Sequence, residues 1–195
     1  MNTVEPVGQR ATPSILALDV AGRPVEWLHW RYAVRAYASE KVAWTYGDII
    51  YTATGGTSAR TGLVSTMDLA AVVALKGLTA KNLWDITPHL SNRALFQRDN
   101  YTCMYCGVKY PGKVLTRDHV IPRGQGGEDV WGNVLCACRS CNLAKGCKTP
   151  EQAGMPPLAV PYTPNHAEAL ILCNRHIVAD QMELLNQHVP PARRR

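Results

Sequence analysis

Cys103-Met104-Tyr105-Cys106-Gly107 and Cys138-Arg139-Ser140-Cys141-Asn142 decide how this chain is read. Each holds a Cys-x-x-Cys pair. Two thiolates at that spacing, carried on one tight turn, chelate a single metal ion. Two such turns complete a closed, tetrahedral four-cysteine zinc site. Gly107 follows the first pair directly, where a knuckle turn needs positive φ. A structural Zn2+ replaces core that a small, loop-rich segment cannot build. The pairs are separated by 31 residues, more than the roughly 15–20 of a simple ribbon. Something is inserted between the knuckles.

That insert contains Leu115-Thr116-Arg117-Asp118-His119-Val120-Ile121-Pro122. Val114 to Val120 reads as a strand stopped by Pro122. Asp118 offers a hard oxygen ligand suited to Mg2+. His119 titrates near neutral pH and can deprotonate water. A regular strand sends these neighbours to opposite faces, so both serve one site only where the strand ends or distorts. Arg123-Gly124-Gln125-Gly126-Gly127 reads as a mobile basic loop, and it lacks the lysine and hydroxyl of a P-loop. Trp131-Gly132-Asn133 leads into a short strand, Val134 to Ala137. Asn142 follows the second knuckle, and Lys145, one helical turn on, can face the same side. Gly146 reads as the helix C-cap. Alternation along the strand makes Cys136 a core thiol rather than a fifth ligand. Tyr105 and Trp131 read as packing residues.

Further out, residues 1–13 read as a loose tail. Ser14 to Val20 is expected as a first strand ended by the Gly22, Pro24 turn, and Glu26 to Ala38 as a helix. Val42 to Thr54 favours strands, with Gly47-Asp48 and Gly55-Gly56 as turns. Leu63 to Leu75 fits either type, its second half being a possible helix capped by Thr66 or Asp68. Residues 79–92 read as a linker. Beyond the second knuckle, Thr149-Pro150-Glu151 opens a helix with Pro150 at its first position. Pro156 to Pro164 is an extended linker. Asn165 to His188 is expected as one long helix, followed by a mobile basic tail at 193–195. The organisation expected is therefore 1–92, an α+β region; 93–155, the zinc-stabilised module; and 156–195, a Pro-rich linker and C-terminal helix.

Composition bounds the function. The chain has 195 residues, 46% of them apolar, so wholesale disorder is excluded. The longest apolar run, Leu69 to Leu75, is too short to span a bilayer, and no secretory signal is recognised at the start. An odd count of seven cysteines, six of them within 45 residues, argues for metal rather than a secreted disulfide framework. The net charge is +6. Residues 93–148 carry nine Lys/Arg against four Asp/Glu, or +5. A localised excess of this kind points to a polyanionic partner.

Together, Arg98 through Gly107, Asp118-His119-Val120-Ile121-Pro122-Arg123, Gly126-Gly127, Trp131, Asn133, Ala137 through Asn142 and Lys145-Gly146 resemble the HNH endonuclease family. The likeness is to its four-cysteine, zinc-stabilised branch with the ββα-metal fold. Thr149 to Met155 resembles the segment that follows the motif in stand-alone bacterial and phage members. The resemblance covers residues 93–155, about a third of the chain. It implies His119 as general base, Asp118 and Asn142 as holders of one divalent metal (Mg2+ or Mn2+), and Asn133 as the residue that fixes the loop orienting His119. Asn142 stands where the family often has histidine, which puts a soft-metal preference in doubt. Arg117, Arg123, Arg139, Lys145 and Lys148 are candidates to touch phosphates, the alternative for each being solvated surface charge. The partner implied is double-stranded DNA in the cytoplasm of a bacterial or phage-infected cell. A zinc-knuckle nucleic-acid-binding protein without catalysis explains the cysteines and the charge, but not the acid–His pair and the two asparagines. A RING-like interaction module requires a second complete ligand set, which the sequence lacks.

Overall fold

The structure is a computed structural model, and it describes residues 13–194. Apart from Pro13, the tail expected over 1–13 lies outside the described residues, as does Arg195. In chain order the elements are β1 (Ser14–Leu18), β2 (Pro24–His29), α1 (Trp30–Ala38), β3 (Val42–Thr57), β4 (Val64–Leu75), α2 (Asn92–Arg98), β5 (Leu115–His119), β6 (Val134–Cys138), α3 (Arg139–Lys145), α4 (Pro150–Ala153), α5 (His166–Cys173) and α6 (Ala179–Gln187). The class is α+β.

The chain divides into two units. One joins residues 1–83 to 174–195, and the other is Trp84–Cys173. These limits differ from those drawn on composition, because the expected C-terminal helix is two helices. α5 ends at Cys173, and α6 starts at Ala179 under a Val178 cap. α5 packs with α2 in the second unit, whereas α6 packs on β3 and β4 in the first. The tail is not featureless either: Pro191–Arg193 is a 3₁₀ turn, and Arg194 Nε donates to the Val189 carbonyl at 3.0 Å.

The first unit is a four-stranded sheet in the order β2-β1-β4-β3, with β1 and β4 parallel and the outer pairs antiparallel. Two expectations fail here, and one reading left open is settled. The segment expected as one helix from Glu26 is strand to His29 and helix only from Trp30, because Ile15 and Leu16 pair with Leu28 and Trp27. Gly47-Asp48 is a bulge inside one long strand, marked by the register shift between Tyr46 and Ile49, and Gly55-Gly56 also lies within β3. Leu63–Leu75, which fits either type by sequence, is strand from Val64 onward, with Leu69 to Ala74 buried. A strand covered on both faces has no alternation, so its sequence looks like a buried helix. The core gathers Ile15, Ala33, Leu69 and Val73. Buried Gln181 of α6 ties the sheet together, donating to the Ser14 carbonyl at 2.9 Å and the Ala71 carbonyl at 2.7 Å.

The second unit holds the cysteines. Ser91 caps α2 by accepting from the Ala94 amide at 3.2 Å, in a stretch whose start had read as linker. Leu95, Phe96, Leu115, Trp131, Val134 and Cys136 form its small core. Arg98 is buried. It pairs with Asp99, donates to the carbonyls of Trp131, Val134 and Tyr162, and lies over the Trp131 and Tyr162 rings. Burial without such partners would be prohibitive for a guanidinium. Cys136 is fully buried, and that burial pushes its thiol up to about 12, as expected of a packing residue.

Candidate functional site

β5 and β6 form an antiparallel pair without register shift, from Leu115 opposite Cys138 to His119 opposite Val134. α3 follows β6 directly and packs on both strands. This ββα unit carries both halves of the site.

The first knuckle closes through Cys103 N–H to the Val108 carbonyl and Gly107 N–H to the Cys103 carbonyl, both at 2.9 Å, with Gly107 at φ +73°. The second sits where β6 passes into α3. Sγ atoms of Cys103, Cys106, Cys138 and Cys141 all lie within 4.8 Å of one another. Tetrahedral coordination at a Zn–S bond of about 2.3 Å asks for sulfurs at such separations, so the four residues fit a zinc ion. Burial works against ionising Cys138. The Ser140 hydroxyl and the Cys141 amide more than offset it and bring the thiol down to about 6. Burial and the neighbouring sulfurs push Cys141 the other way. Crowded thiols that cannot all ionise alone are the donor set a divalent cation completes.

Alternation divides the β5 side chains. Thr116 and Asp118 face α3. Asn142 Nδ2 donates to Thr116 Oγ1 at 2.8 Å and to the Arg117 carbonyl at 3.3 Å. Thr116 spends its own hydrogen on the Ala137 carbonyl, so its oxygen must accept. Both partners therefore demand the amide nitrogen, and Asn142 Oδ1 accepts from nothing among the described residues. A carboxamide oxygen left in that state fits a hard cation. Asp118 is 4% exposed. Its Oδ1 takes the Lys145 ammonium at 3.0 Å, and its Oδ2 takes the Tyr105 hydroxyl. Burial and this carboxylate push the Tyr105 phenol well above its ordinary range, keeping it a donor.

Arg117 and His119 face the other way. His119 Nε2 lies 2.9 Å from Asp129 Oδ1, and Arg117 donates to Asp129 Oδ2 and, through Nε, to Asn92 Oδ1 at 2.9 Å. β5 stays regular and ends at His119. The structure thus engages Asp118 with Lys145 and Tyr105 and Asn142 with Thr116 on the α3 side of β5, and pairs His119 with Asp129 on the other.

Asn133 is buried and spends its whole carboxamide on the loop after His119. Oδ1 accepts from the Ile121 amide at 2.9 Å, while Nδ2 donates to the carbonyls of Ile121 at 3.0 Å and Glu128 at 2.8 Å. The stretch expected as a mobile basic loop is a closed 3₁₀ turn over Arg123–Gln125. Gly127 N–H returns to the Pro122 carbonyl, and Gln125 Nε2 reaches the Cys147 carbonyl.

Among the phosphate candidates, Arg123, Arg139 and Lys148 are exposed. Lys145 is corrected: it is 1% exposed, with its ammonium on Asp118 and on the His119 carbonyl at 2.8 Å, so it neutralises a buried acid. Arg117 is half-buried and engaged by Asp129 and Asn92. Sequence reasoning missed Asp129 altogether and missed Tyr105 as a partner of Asp118. Strand alternation did hold one clue, since a cation and a histidine two residues apart share a face and invite a carboxylate opposite.

The site thus joins a zinc-fitting pair of knuckles to a ββα unit whose first strand closes on an acid and a histidine. Residues 103–158 match the family described as HNH endonuclease. A segment of 51 residues is 39% identical to the CRISPR-associated endonuclease Cas9 of Corynebacterium diphtheriae. That likeness covers 26% of this chain and 5% of the relative.

Proposed function

We propose that this protein is a metal-dependent endonuclease that hydrolyses phosphodiester bonds in double-stranded DNA, acting in the cytoplasm of a bacterial or phage-infected cell. The observation that carries the reading is the chemistry of the β5–α3 face. A buried Asp118 carboxylate and an unengaged Asn142 carboxamide oxygen both attach to one ββα unit, on the residues that match the HNH family.

Asp118 and Asn142 would hold the divalent cation, Mg2+ or Mn2+. When bound, it supplies positive charge to the scissile phosphate and the leaving 3′ oxygen. His119 takes a proton from water. The water oxygen then bonds to phosphorus, the bond to the 3′ oxygen breaks, and that oxygen takes a proton from solvent. Asn133 holds the peptide after His119, and so the end of the strand, in place. Arg123, Arg139 and Lys148 supply sequence-independent attraction to the DNA backbone. The four cysteines keep Zn2+ as a structural ion.

Cleavage of supercoiled DNA with Mg2+, Mn2+ or no metal tests this, beside zinc content and melting temperature. His119→Ala is expected to stay folded, keep one zinc and lose cleavage by about 10²-fold or more. Cys141→Ala is expected to lose zinc, stability and activity together. Normal cleavage by His119→Ala would overturn the mechanism. Binding of DNA without cleavage by the parent protein would favour a non-catalytic zinc-knuckle protein.

A further inference from the structure

We propose that Asp129 is the positioning residue for His119: its carboxylate accepts the Nε2 hydrogen and leaves Nδ1 as the atom that takes the proton from water. The inference rests on the nuclease reading for the role of His119, and on geometry for the rest.

His119 Nε2 and Asp129 Oδ1 are 2.9 Å apart. An ionised carboxylate only accepts hydrogen bonds, so the nitrogen facing it carries the hydrogen. A neutral imidazole has one such hydrogen, which leaves the lone pair on Nδ1. The other oxygen of Asp129 is held by Arg117, and Arg117 is held in turn by Asn92. A relay therefore runs from α2 through Arg117 and Asp129 to the imidazole. Arg117 also keeps the carboxyl below its ordinary range, against slight burial and with His119 adding to the effect, so it is ionised at neutral pH.

The backbone is built for the same pairing. Asn133 reaches both partners. Its carbonyl accepts from Val120 N–H at 2.8 Å and its Oδ1 from Ile121 N–H, the two peptides after His119. Its Nδ2 donates to the Glu128 carbonyl and its N–H to the Val130 carbonyl at 2.9 Å, the residues flanking Asp129. One asparagine thus sets the distance between the histidine and its carboxylate. When His119 takes the proton it becomes a cation, and Asp129 faces that charge.

The test compares the full-length, zinc-loaded parent with Asp129→Ala, Asp129→Asn and His119→Ala. Long-range proton–nitrogen NMR of the His119 ring, above its titration, reads the tautomer. Steady-state cleavage of supercoiled DNA reads kcat and KM. The parent should show a protonated Nε2 and a bare Nδ1. Asp129→Ala should show mixed tautomers, with kcat lower by about 10- to 100-fold, the scale known for the outer partners of metal-bound histidines, and KM little changed. Asp129→Asn keeps the size but offers either an oxygen or an amide nitrogen, so it should fall between the two. It also guards against misfolding of the alanine variant, which half-exposed Asp129 makes tolerable. Unchanged tautomer and kcat in both variants would overturn the proposal, and so would a raised KM at normal kcat, which would make Asp129 a substrate contact. Normal cleavage by His119→Ala would instead refute the nuclease mechanism, with the NMR still deciding whether Asp129 holds the ring.

Discussion

Asp118 accepts one cation and one phenol, and each comes from a different part of the module. Tyr105 belongs to the first knuckle, so folding of the zinc site carries a donor directly to the acid. Lys145 belongs to the last turn of α3 and is buried with its charge. A buried ammonium and carboxylate are tolerated because each satisfies the other. Removing one leaves the other stranded. Lys145→Met is therefore expected to destabilise the zinc-loaded protein by about 3–5 kcal/mol, read by denaturant unfolding. Adding Asp118→Asn to it should recover part of the loss. A lysine that merely touched phosphate would leave stability unchanged and weaken only DNA binding.

Two elements set the geometry around His119 and at the first sheet, and each makes a prediction. A Cβ at Gly127 would collide with the Ile121 carbonyl oxygen and stand 2.9 Å from Asn133 Nδ2. Backbone cannot yield as a side-chain tip would, so Gly127→Ala must displace the Asn133 clamp. About 1–3 kcal/mol of stability should go, with most of the cleavage, while zinc stays bound to knuckles elsewhere. Gly124→Ala meets nothing within 4 Å and is the control that should behave as parent. In the first unit, Asp19 ends β1 by accepting from the amides of Ala21, Arg23 and Ala80 and from the Arg23 guanidinium. Burial would raise its carboxyl, but those donors win and hold it below its ordinary 3.8. A lowered value means stability present above the ordinary range and lost as pH falls through the lowered one. Asp19→Asn should thus cost about 1–3 kcal/mol at pH 7, the gap closing in acid. The same scale explains what could be read in advance. The knuckles, β5, β6, α3 and the Thr149 cap obey rules confined to a few neighbouring residues, and they stand where spacing and capping put them. β3, β4 and the α5–α6 break depend on which faces are covered and which partner each segment meets. No local period records that. In the site, His119, Asp118, Asn133 and Asn142 could be picked out by residue type and motif. Asp129 and the inward turn of Lys145 could not, because both are settled across the fold.

For the whole molecule the question is how much of the central charge can face a polyanion. The nine basic residues of 93–148 are not equivalent. Arg98 and Lys145 are buried and paired, and Arg117 is engaged by Asp129. Arg93, Lys109, Lys113, Arg123, Arg139 and Lys148 are exposed. Among the described residues no helix is long and apolar enough to cross a membrane. Each phosphate neutralised steepens the salt dependence by about 0.9 in log–log slope. Between 50 and 200 mM salt, three contacts would cost roughly 40-fold in affinity and six roughly 10³-fold. The loss should fall between these limits, measured by anisotropy titration of a labelled duplex with His119→Ala, which is expected to bind without cutting. Arg123→Ala, Arg139→Ala and Lys148→Ala should each flatten the slope by about one. Lys109→Ala and Lys113→Ala report whether the first-knuckle side also lies against DNA. A flat slope in the His119→Ala protein would mean that the basic residues of the module do not form its DNA-binding surface, and the attraction would have to come from elsewhere in the chain.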